Sequence, residues 1–172
     1  LYPVNSLTYS IMGANSFGCT SILQVPVTVH TNPSVNINAS LNPVCLGEIS
    51  ILNASGANVY SWQPSSSLSL TTGSNVSAMP SSSTTYSVIG TDLNNCASTA
   101  SITLNVNPLP ILSVTPTTST ICEGSNVTLN ATGVSDFIWS PALGLNTTVG
   151  SSVIASPTIT TIYSITGTDI NG

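Results

Sequence analysis

The sequence has no lysine and no arginine among its 172 residues. Nucleic-acid binding draws most of its affinity from such cations on phosphates, so no nucleic-acid partner is expected. Attraction to an anionic membrane surface is excluded for the same reason. Histidine is nearly missing as well, with His30 the single example. One histidine cannot supply a Ser-His-Asp arrangement in each of several repeated domains. No C-x-x-C pair occurs, and His30 stands alone, so no zinc site is expected. The five acids are Glu48, Asp92, Glu123, Asp136 and Asp169, and none forms a close pair in sequence. There is no Gly-rich phosphate loop. No apolar run approaches the roughly 20 residues that span a bilayer, so membrane insertion is not expected. Taken together, these absences point away from an enzyme, a metal and a cofactor.

What remains is 41% apolar, only 3% charged, and carries a net charge of −5. Disorder needs low hydrophobicity and high charge, so the chain is expected to fold. Its polar content is Ser, Thr and Asn, which suit strands and turns better than helices.

The dominant pattern is a repeat. Tyr9, Tyr86 and Tyr163 lie in the strings Leu7-Thr8-Tyr9-Ser10, Thr85-Tyr86-Ser87 and Ile162-Tyr163-Ser164, spaced 86 − 9 = 77 and 163 − 86 = 77. The same spacing links Cys19 to Cys96, Cys45 to Cys122, Trp62 to Trp139, Gly56 to Gly133 and Pro64 to Pro141. A period this long is a whole domain rather than one solenoid turn. The expected organisation is residues 1–33 as the last two strands, F and G, of one domain. Residues 34–110 form a complete domain, and 111–172 a third lacking its last strand. A chain that opens inside a repeat reads as part of a longer array. The linker Asn107-Pro108-Leu109-Pro110-Ile111 is short and proline-stiffened, as a spacer between rigid beads would be.

Within 34–110 the pattern is strands and turns. Ser34–Asn38 alternates as strand A, and 42–47 reads as a turn. Ser50, Leu52 and Ala54 alternate on strand B, and Tyr60 and Trp62 share a face of strand C. Asn75–Ala78 is a further strand. Tyr86, Val88 and Gly90 lie on strand F, and Ile102, Leu104 and Val106 on strand G. Short strands, frequent turns and no helical period predict an all-β fold of tandem immunoglobulin-like sandwiches. Trp62 and Trp139 are then expected to fill the space between sheets, and Tyr9, Tyr86 and Tyr163 to anchor the start of strand F. Each tyrosine would return its hydroxyl to a backbone group as a tyrosine corner. The competing reading of the aromatics is an exposed platform for sugars. Asp92 and Asp169 read as turn formers, with calcium ligation as the alternative. The sequons at Asn38, Asn53, Asn75, Asn126, Asn130 and Asn146 are frequent enough to arise by composition alone, with glycosylation the alternative.

Two cysteines per repeat suggest disulfides and an oxidising compartment. Pairing within the domain would join Cys45 to Cys96. In immunoglobulin strand order, however, these lie at opposite ends of the sandwich, on the order of 20 Å apart, and a disulfide needs Cα atoms within about 7 Å. The alternative joins successive domains, with Cys45 meeting a cysteine due at 96 + 77 = 173. Cys19 and Cys122 are disulfide candidates on the same footing.

Several strings carry a family resemblance: Val44-Cys45-Leu46-Gly47, Tyr60-Ser61-Trp62-Gln63-Pro64, Thr84-Thr85-Tyr86-Ser87-Val88-Ile89-Gly90-Thr91-Asp92, and Val106-Asn107-Pro108-Leu109-Pro110. The third copy runs from Ile121-Cys122-Glu123-Gly124 to Asp169-Ile170-Asn171-Gly172. These strings resemble the tandem immunoglobulin-like or PKD-like repeats of Bacteroidota secreted surface proteins, of gliding-adhesin or surface-filament type. The Gly-Asp-Gly turn of PKD domains proper is missing after the tryptophan. The resemblance implies an extracellular or cell-surface location and a non-catalytic structural or adhesive role in a long fibre. Its implied partners are neighbouring repeats, other copies in a fibre, and surface polysaccharide. The alternative is a spacer or carbohydrate-binding module of a secreted polysaccharide-degrading enzyme.

Overall fold

A computed structural model describes residues 3–170. Asn171 and Gly172, the end of the third repeated string, lie outside them. The described residues form fifteen strands and no helix. These are β1 (Leu7–Ala14), β2 (Thr20–Val27), β3 (Asn36–Ala39), β4 (Val44–Cys45), β5 (Ser50–Ser55), β6 (Val59–Gln63), β7 (Asn75–Ala78) and β8 (Thr84–Thr91). Then follow β9 (Ala97–Leu104), β10 (Val106–Asn107), β11 (Ser113–Thr115), β12 (Val127–Thr132), β13 (Asp136–Ser140), β14 (Ser152–Ala155) and β15 (Ser164–Thr168). The chain divides into two compact units, Leu1–Asn42 with Ile49–Leu104, and Pro43–Glu48 with Asn105–Gly172. The architecture is all-β, built from small, mostly antiparallel sheets that resemble immunoglobulin-like sandwich units.

The first unit holds two three-stranded sheets, β3-β5-β7 and β6-β8-β9, and the separate hairpin β1-β2. Alternation decides which side chains go inward. On β5, Ser50, Leu52 and Ala54 are buried while Ile51, Asn53 and Ser55 are exposed. On β8, Tyr86, Val88 and Gly90 are buried. Tyr60 and Trp62 from β6, Val76 and Ala78 from β7 and Leu104 from β9 complete the core. Burying such side chains contributes roughly 1.5–3 kcal/mol each. Buried Ser50 is fully engaged: its hydroxyl donates to the Leu41 carbonyl at 2.8 Å and accepts from the Leu41 N–H at 3.2 Å. Gly56 (φ +95) turns the chain after β5 where any Cβ would collide with the Ser34 carbonyl. Only glycine meets both the conformational and the steric demand.

The second unit holds the three-stranded sheet β11-β12-β14, the pair β13-β15, and the short parallel pair β10-β4. Its core is Leu129, Ala131, Phe137, Trp139, Val153 and Ala155, with Tyr163 and Ile165 partly buried against it.

Two expectations are corrected. The segment 42–47 is not all turn. Val44 and Cys45 form β4, paired in parallel with Val106 and Asn107, and their neighbours are tied by the bonds of Val44 N–H to the Asn105 carbonyl (3.0 Å) and Leu46 N–H to the Asn107 carbonyl (2.9 Å). Pro43 and Gly47 flank two residues that look like part of a turn, but Val44 is 2% exposed and belongs to a strand.

The second correction concerns Tyr9, which is no core anchor. It is 38% exposed, and every residue of β1 is exposed. The hairpin holds the repeat positions of β8-β9, and among the described residues its two strands pair only with each other.

Candidate functional site

The aromatic positions are structural. Trp62 and Trp139 are 2% and 3% exposed, so neither offers a stacking face to a ligand. Each indole N–H is satisfied internally, Trp62 Nε1 donating to the Gly73 carbonyl at 2.8 Å and Trp139 Nε1 to the Gly150 carbonyl at 2.9 Å. A buried indole needs such a partner, because an unmet donor costs about 1–3 kcal/mol. Tyr60 beside Trp62 bonds locally, donating its hydroxyl to the Ala57 carbonyl at 2.8 Å and accepting the Ala57 N–H at 2.8 Å.

The tyrosine corners differ between copies. Tyr163 donates to the Leu143 carbonyl at 2.7 Å, a backbone acceptor. The Tyr86 hydroxyl instead meets the Ser67 hydroxyl at 2.6 Å. The cause is one residue. Ser67 holds a left-handed backbone (φ 64), and Gly144, 144 − 67 = 77 positions on, holds the same conformation (φ 73). Glycine leaves the neighbouring carbonyl open to Tyr163, whereas the Ser67 side chain fills that place and bonds the Ser66 carbonyl itself. The Ser/Gly exchange was the sequence signal for this difference.

The acids act within turns. Asp92 Oδ1 accepts the N–H groups of Asn94 (2.8 Å) and Cys96 (2.9 Å), closing the turn between β8 and β9. Glu48 Oε2 accepts the Cys45 N–H at 2.9 Å. Asp136 Oδ2 accepts from the Ser135 hydroxyl at 3.2 Å. Among the described residues no group of three or more His, Cys, Asp or Glu stands together as a metal site would require. The six sequon asparagines are all exposed, and three of them, Asn38, Asn53 and Asn75, pair in one row across β3, β5 and β7.

The cysteine expectation is corrected where it can be read. No disulfide is formed by Cys19, Cys45, Cys96 or Cys122. An intradomain Cys45–Cys96 bond is not formed. Cys96 Sγ lies instead 4.0 Å from the His30 carbonyl.

One concavity is sizeable. It belongs to the second unit, measures about 760 Å3, and is lined by Val114, Leu129, Trp139, Tyr163 and Ile165 along with the segment 116–123. Of its lining, Ile165 lies on β15, which pairs with β13.

No family model matches the chain. No curated protein matches it either. Nineteen solved chains do. Among them are extracellular cadherin domains 3–6 of protocadherin gamma B2, at 12% identity and TM-score 0.31, covering 90% of this chain and 49% of that one. Domains 1–5 of the same protein match at 11% and 0.32, covering 91% and 40%. Domains 1–4 of protocadherin gamma B7 match at 12% and 0.28, covering 90% and 49%. The chain thus spans half or less of the length of these structures. Similarity at this level is distant, and no ligand or partner transfers from it.

Proposed function

We propose that the chain is a non-catalytic structural and adhesive region of a long extracellular fibre or cell-surface adhesin, built from 77-residue immunoglobulin-like sandwiches. The observation that carries this reading is the recurrence of strand boundaries. Adding 77 to the bounds of β1 and β2 gives those of β8 and β9 (7 + 77 = 84, 14 + 77 = 91; 20 + 77 = 97, 27 + 77 = 104). Adding 77 to β5, β6 and β7 gives β12, β13 and β14 in the same way. An array of identical modules serves length and spacing, which a single binding or catalytic domain does not need. The domains in this reading are 1–33, 34–110 and 111–172. The side-chain bonding fits the role as well, since Asp92 and Glu48 bond backbone groups of turns and both indoles lie in cores.

The finer assignment, to the surface proteins of Bacteroidota, rests on the strings around Cys45, Trp62 and Tyr86. The test is electron microscopy of the native material with an antibody raised against this chain. Label along extended filaments or stalks at the cell surface supports the proposal. Label confined to a compact secreted particle with polysaccharide-degrading activity refutes it in favour of an enzyme spacer.

A further inference from the structure

The outward face of one sheet in each unit carries an asparagine that packing does not explain. Asn53 and Asn130 are the fourth residues of β5 and β12, the central strands of β3-β5-β7 and β11-β12-β14. Both are exposed, and each lies between two buried neighbours, Leu52 and Ala54 or Leu129 and Ala131. Their repeat positions coincide, as 53 + 77 = 130. Asparagine is depleted in strands, because its side chain competes for backbone groups. The middle of a central strand is where that preference should remove it.

The rest of this outward face changes between the copies. Asn36, Asn38, Ile51, Asn75 and Ser77 have the counterparts Ser113, Thr115, Thr128, Ser152 and Ile154. Asn53 and Asn130 are identical, and two residues further on Ser55 and Thr132 exchange one hydroxyl for another. What persists is Asn-Ala-Ser/Thr. It is the one sequon written in both copies, since Asn38, Asn75, Asn126 and Asn146 fall opposite Thr115, Ser152, Ile49 and Ser69. Composition scatters sequons along a chain. It does not hold two in register on a strand whose other outward positions change.

The Asn53 amide is hardly engaged by the fold. Its Nδ2 reaches the Ile51 carbonyl of its own strand at 3.5 Å. Asn42 and Asn146 show what a structural asparagine does here. Asn42 Nδ2 donates to the Thr103 carbonyl at 2.8 Å, and Asn146 Oδ1 accepts the Ile154 N–H at 2.7 Å.

We infer that Asn53 and Asn130 are acceptor sites for N-linked glycans, one at the centre of each outward face. Side chains two apart on a strand point the same way, so the carboxamide and the hydroxyl of each sequon stand on the solvent side, about 6.5 Å apart along the strand. The sugar donor is a lipid pyrophosphate-linked oligosaccharide. Asparagine Nδ2 bonds to C1 of the first sugar as the bond from C1 to the pyrophosphate oxygen breaks. The pyrophosphate leaves with the electron pair, and the amide proton passes to a base of the transferase. β5 and β12 are paired on both edges in the folded sheets, so transfer precedes sheet closure. The exposed face then carries the product without disturbing the core. The inference goes beyond the structural reading above and stands without it, because it requires only passage through a compartment with an Asn-linking transferase.

The test is mass spectrometry of the native chain from its source, digested with chymotrypsin because the sequence offers trypsin no Lys or Arg. Peptides spanning Asn53 and Asn130 are expected to carry sugar increments that survive alkaline β-elimination, which strips sugars from Ser and Thr but not from Asn. In the same source, Asn53→Gln and Ser55→Ala are each expected to remove the increment from the first peptide and leave the second modified. Ser55→Thr is expected to retain both. All three substitutions fall at exposed positions, and an unchanged circular dichroism spectrum checks that the variants fold. A bare asparagine at either position in the native chain overturns the inference. So do increments lost on β-elimination, which would assign the sugar to Ser55 or Thr132, and so does an increment on Asn53 that persists in Ser55→Ala.

Discussion

Replacing Tyr86 by phenylalanine isolates one hydroxyl in a fixed ring position, and Tyr163→Phe makes the same change in a wetter setting. Tyr86 is fully buried, and its hydroxyl lies 2.6 Å from that of Ser67. Phenylalanine keeps the ring and removes one neutral hydrogen bond, worth about 1 kcal/mol net. Ser67 keeps a partner in the Ser66 carbonyl, so no buried donor is orphaned and the larger penalty does not apply. The Tyr163 bond to the Leu143 carbonyl is exposed. Water takes over that carbonyl, and the expected cost is about 0–0.5 kcal/mol. Urea unfolding followed by tryptophan fluorescence reads both changes, with Trp62 reporting in a Trp139→Phe background and Trp139 in a Trp62→Phe background. With a slope near 1 kcal/mol per molar for a unit of this size, Tyr86→Phe should lower the midpoint by about 1 M and Tyr163→Phe by less than about 0.5 M. A shift for Tyr163→Phe equal to or larger than that for Tyr86→Phe would refute the assignment of the difference to burial.

Gly56→Ala and Gly133→Ala should each destabilise by about 2 kcal/mol or more, because the new Cβ meets the Ser34 or Ile111 carbonyl at positive φ; calorimetry should show a fall in Tm on the order of 10 °C. Asp92→Ala removes the acceptor of two backbone N–H groups and should cost about 1–2 kcal/mol, while Asp92→Asn keeps an acceptor oxygen and should cost markedly less in the same assay. No disulfide joins the four cysteines, so added reductant should move Tm by less than about 1 °C.

Strand identity was legible because alternation is a local property. Leu52 and Ala54, Tyr60 and Trp62, and Tyr86 and Val88 recur at every second position, and all six are buried. Local properties did not reveal β4. Its two residues are too few to show a period, and Val44 sits between Pro43 and a turn glycine. The partner of Tyr86 was hidden for a related reason. A tyrosine corner names a direction for the hydroxyl, but the acceptor depends on whether residue 67 carries a side chain.

The three tyrosines separate what a sequence encodes from what its surroundings supply. Tyr9, Tyr86 and Tyr163 share a repeat position, and the strings around them assign the ring to the same face of the same strand. Yet Tyr86 is fully buried, Tyr163 partly buried and Tyr9 38% exposed. The gradation tracks strand partners. Tyr86 lies on a strand paired on both edges, Tyr163 precedes a strand paired on one edge among the described residues, and Tyr9 lies on a two-stranded hairpin. Periodicity fixes the face, and burial follows from what the remaining strands place over it.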